Sequence, residues 1–159
     1  MLTTITTQIW QEVELTLTTS RSYEKPYLEV EVWADLTHED GTVLRRPAFW
    51  DGHNLWKIRF APTLEGSWTW KTFTNVEDAG LAGQSGEVKC EAATGENVFY
   101  KHGFWKMSPG SRNLVHADGT SAVLVGDTAW GLPWRSTLEQ CEVYAKDRQS
   151  KGFNAALLM

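Results

Sequence analysis

The feature that most constrains this chain is a regular alternation of apolar and polar side chains between residues 12 and 92. Asp40-Gly41 and Asp51-Gly52, whose residue types tolerate the positive φ of tight turns, lie between alternating stretches. A period of two is typical of strands that bury one face, so the pattern predicts antiparallel sheets packed as a β-sandwich. The alternating stretches are Glu12–Thr18, Leu28–Leu36, Leu55–Ala61 and Glu87–Ala92.

The nine tryptophans are the unusual part of the composition. Trp56, Trp68 and Trp70 lie on predicted strands, and we expect them in the core because aromatic rings are the largest apolar units available. Trp33 shares a strand face with three carboxylates. Either a neighbouring domain covers it, or it is an exposed platform on which a sugar ring stacks.

The pattern changes after the short polar segment 93–97, which we interpret as a domain boundary. Beyond it, Asp118-Gly119 predicts a hairpin turn, and the unbroken apolar run Ala122–Val125 predicts a strand buried on both faces. Ser136 and Glu139 have capping-box spacing and predict a helix start. A second apolar run, Ala155–Met159, follows that helix and completes a strand–helix–strand pattern.

The sequence therefore predicts a mainly β fold with two parts. Residues 1–96 are expected to form an Ig-like antiparallel β-sandwich. Residues 97–159 are expected to form a partial βαβ unit, the beginning of a TIM barrel. A closed barrel needs eight such units and ~250 residues, so we expect this chain to be the front of a longer protein.

Composition narrows the function classes. The net charge is −5 and basic residues do not cluster, which predicts no nucleic-acid partner. No apolar run approaches the ~20 residues of a membrane span, and the first residues, MLTTITTQIW, lack secretory-signal features, so we expect a cytoplasmic protein. Cys90 and Cys141 are expected to be free buried thiols. We predict neither cofactor nor metal, because the histidines lack ligand spacing: His38, His53, His102 and His116.

The stretch Phe49–Trp70, FWDGHNLWKIRFAPTLEGSWTW, resembles the Ig-like N-terminal domain that precedes the catalytic barrel of some bacterial glycoside hydrolases. The resemblance covers roughly residues 8–92 and implies architecture more than activity. The matching positions are Phe49, Trp50, Asp51, Gly52, Trp56, Arg59, Phe60, Pro62, Gly66, Trp68 and Trp70.

The segment Gly126–Trp130, GDTAW, together with a following KGFN, resembles the opening of apiosidase-like glycoside hydrolase barrels over residues 98–159. The resemblance implies that Asp127 lines the sugar pocket and that Trp130 stacks near it. The residues themselves leave two other interpretations open: Asp127 caps the turn that follows its strand, and Trp130 packs between barrel and sandwich. Trp134 and Arg135 match no motif.

The leading hypothesis is the N-terminal part of a glycoside hydrolase that acts on oligo- or polysaccharides. Its partners would be the carbohydrate substrate and the remainder of the barrel. The resemblance places both catalytic acids on later strands, so no catalytic residue is predicted here. The alternatives are a non-catalytic carbohydrate-binding β-sandwich module and an interaction protein whose exposed strands pair with another chain.

Overall fold

The computed structural model describes residues 3–110 and 112–159, so the first two residues of the predicted sandwich lie outside the described residues. The chain divides into two compact units, Met1–Phe104 and Trp105–Met159. The sequence pattern places its boundary slightly earlier, between residues 96 and 97. Within the described residues, every helix is too short or too polar to cross a lipid bilayer.

The first unit consists mainly of β-strands and contains two short helices. Its elements in chain order are β1 (Thr3–Gln8), β2 (Val13–Thr18), α1 (Pro26–Glu29), β3 (Val32–His38), β4 (Val43–Pro47), β5 (Phe49–Trp50), β6 (Leu55–Phe60), β7 (Gly66–Thr74), β8 (Ser85–Glu91) and α2 (Val98–His102).

These strands form two sheets. The larger has the order β1-β8-β7-β3-β4, and the smaller has the order β2-β6-β5. All neighbours are antiparallel, as predicted, with one exception: β1 pairs with β8 in parallel, Ile5 opposite Val88. The expectation of purely antiparallel sheets is wrong at this edge, because β1 joins the sheet beside a strand far away in sequence.

One hydrophobic core joins the two sheets, which makes the first unit a β-sandwich. Trp68 is fully buried at 0% exposure, and its Nε1 donates a hydrogen bond to the carbonyl oxygen of Leu64 at 2.9 Å. Trp56 and Trp70 are also buried, so the prediction of core positions for all three tryptophans is confirmed. The other core side chains on the strands are Val13, Leu15, Leu17, Val32, Ala34, Leu36, Ile58, Phe60, Val88 and Cys90.

The predicted strand Leu28–Leu36 is only partly correct. Helix α1 occupies its start, Leu28 is 70% exposed, and the strand begins at Val32. Pro26 accounts for the difference, because its fixed φ suits the first turn of a helix. The Glu29 carboxylate then accepts a hydrogen bond from the backbone N–H of Lys25 at 3.0 Å and closes this turn.

The Asp-Gly turns form where they were predicted. Gly41, Gly52 and Gly119 have φ values of +91°, +92° and +92°, a region that glycine enters without steric cost. They connect β3 to β4, β5 to β6, and the two arms of the hairpin in the second unit.

The second unit contains short strands and one longer helix. Its elements are β9 (Lys106–Met107), β10 (Leu114–Val115), β11 (Ser121–Ala122), β12 (Gly126–Thr128), α3 (Leu132–Arg135), α4 (Leu138–Ser150) and β13 (Ala155–Leu157). β10 pairs with β9 and β11, whereas β12 pairs with β13 in parallel. The predicted hairpin and the predicted βαβ connection are both present.

The details of this βαβ unit differ from the prediction. The parallel strand is Gly126–Thr128, not Ala122–Val125, and the apolar run is exposed: Val123 is 73% exposed. An apolar run shows that a segment is hydrophobic, but it does not determine which residues form the backbone hydrogen bonds between paired strands. The second run is also exposed in this chain, with Met159 at 69%.

Helix α4 begins one residue later than predicted. Its capping box joins Thr137 and Gln140, whose side chains accept each other's backbone N–H at 3.2 and 2.9 Å. Ser136 is extended and ends α3 instead. Apolar side chains of the helix are not buried in its described surroundings: Leu138 is 85% exposed, and Cys141 is only partly buried.

The two cysteines are free thiols, as predicted, but only Cys90 is buried; the prediction of a buried Cys141 is wrong, because helix α4 leaves it partly exposed. Cys90 is buried in the sandwich core, and burial raises the pKa of its thiol to about 11. It is therefore a core packing group with little thiolate character at neutral pH.

Asp78 is a buried carboxylate that the sequence did not single out. Burial pushes its pKa upward, but accepted hydrogen bonds outweigh burial and leave the pKa below its usual value. Oδ1 accepts from the backbone N–H and hydroxyl of Ser20 and from the N–H of Gly80, while Oδ2 accepts from the Tyr23 hydroxyl. Asp78 thus ties two loops of the sandwich together.

We expect Trp68→Phe to destabilise the sandwich more than Trp70→Phe. Both substitutions shrink a buried ring, but only Trp68 also loses a hydrogen bond, since Trp70 Nε1 has no partner in the described residues. The expected loss for Trp68→Phe is roughly 2–3 kcal/mol in urea unfolding, and that for Trp70→Phe is roughly 1 kcal/mol smaller. Equal losses would show that the Leu64 contact contributes nothing.

We expect the sandwich to lose stability as pH rises through the pKa of His38. The Asp40 carboxylate, 2.9 Å from His38 Nδ1, is the main cause that raises this pKa above 6.5. A raised pKa in the folded state stabilises the fold below the unfolded pKa, and the contribution disappears at higher pH. NMR titration should show the raised pKa and its fall in Asp40→Asn, while Glu87→Gln serves as a control. An unchanged pKa in Asp40→Asn would contradict this explanation.

Candidate functional site

The candidate site lies on β12 and the residues that follow it. Asp127 lies in register with Ala156 of β13, inside the parallel pair. We predicted it just beyond the C-terminal end of its strand, so its position is shifted into the ladder. The Ala129 N–H donates to the Leu157 carbonyl at 3.0 Å, which continues the pairing toward Trp130.

Both carboxylate oxygens of Asp127 have protein partners. Oδ2 accepts from Nε of Arg148 at 2.6 Å, and Oδ1 accepts from the backbone N–H of Thr128 at 2.8 Å. The Arg148 hydrogen bond is the main cause that lowers the pKa of Asp127, and the Thr128 N–H adds to it. Asp127 is therefore held as a carboxylate.

Arg148 fixes Asp127 from helix α4. Its guanidinium lies 5.2 Å from the Tyr144 ring centre and 5.3 Å from that of Phe153. Its Nη1 donates to Asp147 at 2.9 Å. Sequence reasoning missed Arg148, although its position in the last turn of the helix, where a cation suits the helix dipole, was visible.

Asn154 is a second residue whose role the sequence did not show. Its Oδ1 accepts from the Val125 N–H at 2.9 Å, and its Nδ2 donates to the Val123 carbonyl at 2.6 Å. These two bonds satisfy backbone groups of the segment before β12. Asn154 belongs to the KGFN motif, so its side chain connects that motif to the residues just before GDTAW.

Trp130 follows β12 and is 53% exposed. Its ring makes no ring contact with the described residues. Trp134, on α3, is 59% exposed. Asp127 thus lies on β12, fixed and charged, and Trp130 lies two residues beyond the end of that strand, exposed and aromatic.

The chemistry available to Asp127 is limited by its pKa. A general acid in glycoside hydrolysis needs a carboxyl that retains its proton near neutral pH, which requires a raised pKa. The pKa of Asp127 is lowered, and so is that of Asp147, chiefly because Lys151 bonds to it. Asp127 can accept a hydrogen bond from a hydroxyl group, but it is not suited to donate a proton.

In residues 3–110 and 112–159, no three metal-binding side chains form a group that could hold an ion. The four histidines therefore provide no candidate metal centre in the described part of the chain.

Trp33, for which the sequence left both a covering domain and an exposed sugar platform open, lies on the sandwich and is partly buried. Its ring stacks on Phe73 at 5.9 Å between centroids and 16° between planes, and the Arg45 guanidinium lies 5.4 Å from the ring centre. These neighbours come from its own sheet and account for much of its covering.

Comparisons with known proteins assign two regions. Residues 6–75 match the family described as "Domain of unknown function (DUF5060)". Residues 108–159 match the family described as "Apiosidase-like, catalytic domain". No curated protein matches the chain.

A crystal structure described as that of "a putative glycoside hydrolase from Bacteroides vulgatus" is similar to 97% of this chain, with a TM-score of 0.77 and 23% identity. This chain spans 28% of the length of that one. The Lin-41 filamin domain matches 54% of this chain and 82% of its own, with 12% identity and a TM-score of 0.37. The chain is therefore similar in fold to a glycoside hydrolase-related structure, and its second unit contains a segment similar to an apiosidase-like catalytic domain.

We expect Arg148→Gln to raise the pKa of Asp127 toward the value of an ordinary aspartate, 3.8. The substitution removes the cation that stabilises the charged carboxylate. NMR titration of the side-chain carboxyl carbons measures this directly. Lys146→Gln, on the same helix but paired with Glu142, is the control. A titration of Asp127 that is the same in wild type and Arg148→Gln would contradict the assignment.

Proposed function

We propose that this chain is the N-terminal part of a glycoside hydrolase that cleaves glycosidic bonds in oligo- or polysaccharides. The observation that carries the proposal is that a fixed carboxylate on β12, that of Asp127, is followed two residues beyond the strand by the exposed indole of Trp130. This arrangement lies in the segment that is similar to an apiosidase-like catalytic domain.

Each group has a role that suits sugar binding. The Asp127 carboxylate accepts a hydrogen bond from a sugar hydroxyl, using lone pairs left free by Arg148 and Thr128. The exposed face of Trp130 packs against the apolar C–H face of a sugar ring. Arg148 has a positioning role, since it holds the carboxylate in one orientation and keeps it charged.

The hydrolytic step itself needs two carboxyl groups that flank the bond. One donates a proton to the leaving oxygen, while the other acts as base for water or as nucleophile at the anomeric carbon. Because Asp127 is held charged by Arg148, we assign it to substrate binding. We propose that the catalytic pair lies in the remainder of the barrel. The solved structure, of which this chain spans 28%, supports a longer protein.

Asp127→Asn tests the role of the carboxylate in the full-length protein. We expect kcat/KM on its oligosaccharide substrate to fall by about tenfold or more, because a charged acceptor is replaced by a weaker neutral one. Asp147→Asn is the matched control, since Asp147 also bonds to Arg148 but does not lie on β12.

The two substitutions separate binding from structure. If Asp127 only supports the fold, both variants should lose thermal stability while keeping normal kcat/KM, and the proposed role is wrong. A complete reading frame with no barrel sequence after Met159 would contradict the proposed hydrolase itself.

A further inference from the structure

A groove with a volume of about 740 Å³ lies on the sandwich. This size falls within the ~300–1,000 Å³ typical of small-molecule sites. The groove runs beside α1, along the connection from β4 to β5. We call it the aromatic groove and define it by six of its lining residues: Tyr27, Glu31, Trp33, Arg45, Phe49 and Trp50.

The aromatic groove presents ring surface to solvent. Tyr27 is 65% exposed, Phe49 38% and Trp50 37%. The rings of Tyr27 and Trp50 lie 6.0 Å apart with 31° between their planes. Exposed aromatic rings that line a concave surface indicate a binding site, because a folded chain ordinarily buries such rings.

Contacts with neighbouring residues restrict the rings of Trp50, Phe49 and Trp33. Trp50 Nε1 donates to the His53 carbonyl at 3.0 Å, and His53 has a φ of +49°, which is uncommon outside glycine. The Arg59 guanidinium lies 5.0 Å from the Phe49 ring centre, and Trp33 stacks on Phe73. Fixed rings lose little conformational entropy when a ligand binds.

The polar groups of the groove favour a neutral ligand that has hydroxyl groups. The exposed Glu31 carboxylate has no side-chain partner among the described residues and can accept hydrogen bonds from hydroxyls. Arg45 is the cation of the groove, but Asp35 binds it at 2.7 and 2.8 Å, which offsets its charge. The Nη1 group of Arg45 remains available to donate. A phosphate or acidic ligand would face an uncompensated Glu31.

We infer that the aromatic groove binds a neutral oligosaccharide. Sugar rings combine apolar C–H faces, which pack on aromatic rings, with hydroxyls that both donate and accept hydrogen bonds. This site lies on the sandwich and uses different residues from Asp127 and Trp130. The inference goes beyond the proposed hydrolase activity and does not require it.

Calorimetry on the 159-residue chain tests the inference with defined probes. The neutral probes are hexasaccharides of xylose, glucose, mannose and arabinose, and hexagalacturonate is the anionic control. We expect at least one neutral probe to bind and hexagalacturonate to bind more weakly than that probe. Tyr27→Ala and Trp50→Ala should each weaken the binding by about tenfold, the effect of losing one aromatic contact.

Controls separate this site from the proposed hydrolase site. Trp134→Ala removes an exposed tryptophan of the second unit, outside the groove, and should not change the affinity. Because Tyr27 is largely exposed, Tyr27→Ala should keep the wild-type melting temperature, so its effect is readable even if Trp50→Ala unfolds.

Four results would overturn the inference. They are absence of binding for every neutral probe at millimolar concentration, affinity unchanged by Tyr27→Ala, preference for hexagalacturonate, and binding that is lost in the full-length protein. The last result would show that other parts of the polypeptide cover the groove.

Discussion

The fold of the first unit depends on the core between its two sheets, and Trp68 is its largest fully buried side chain. Removing a buried aromatic ring of this kind typically costs ~3–5 kcal/mol. The alternation of side chains along each strand delivers these groups to one interface, and Leu64 satisfies the indole N–H. Residues on the outer faces and edges of the sheets do not belong to this core and can serve other functions. The aromatic groove lies along one such edge.

In the second unit the corresponding constraint is electrostatic. Arg148 lies between two aromatic rings and bonds Asp127 from helix α4, so helix and strand share one charged contact. The exposed apolar residues of Val123–Val125 show that burial contributes less here than in the sandwich. The same contact that supports this βαβ unit also keeps Asp127 ionised. Structure and proposed sugar binding therefore depend on one interaction.

Much of this architecture could be predicted because it is encoded locally. Alternation marked the strands around Trp56 and Trp68, and Asp-Gly pairs marked the turns. The features that could not be predicted depend on contacts between residues far apart in the sequence. The ladder at Gly126–Thr128 begins with two residues of poor strand propensity, Gly126 and Asp127, and pairing with β13 determines it. Arg148 bonds to Asp127, which is 21 positions away in the sequence, and Asp78 accepts a hydrogen bond from Ser20, which is 58 positions away. Neither network produces a recognisable sequence pattern.

The central claim is that Asp127 on β12 and Trp130, just beyond that strand, bind sugar. A crystal structure of the full-length protein with a bound oligosaccharide tests it most directly. The claim predicts a sugar hydroxyl at ~2.6–3.0 Å from a carboxylate oxygen of Asp127 and a sugar ring packed on the indole of Trp130. A sugar bound elsewhere in the full-length protein, with neither residue in contact, would contradict it, and would leave Asp127 as the structural partner of Arg148 alone.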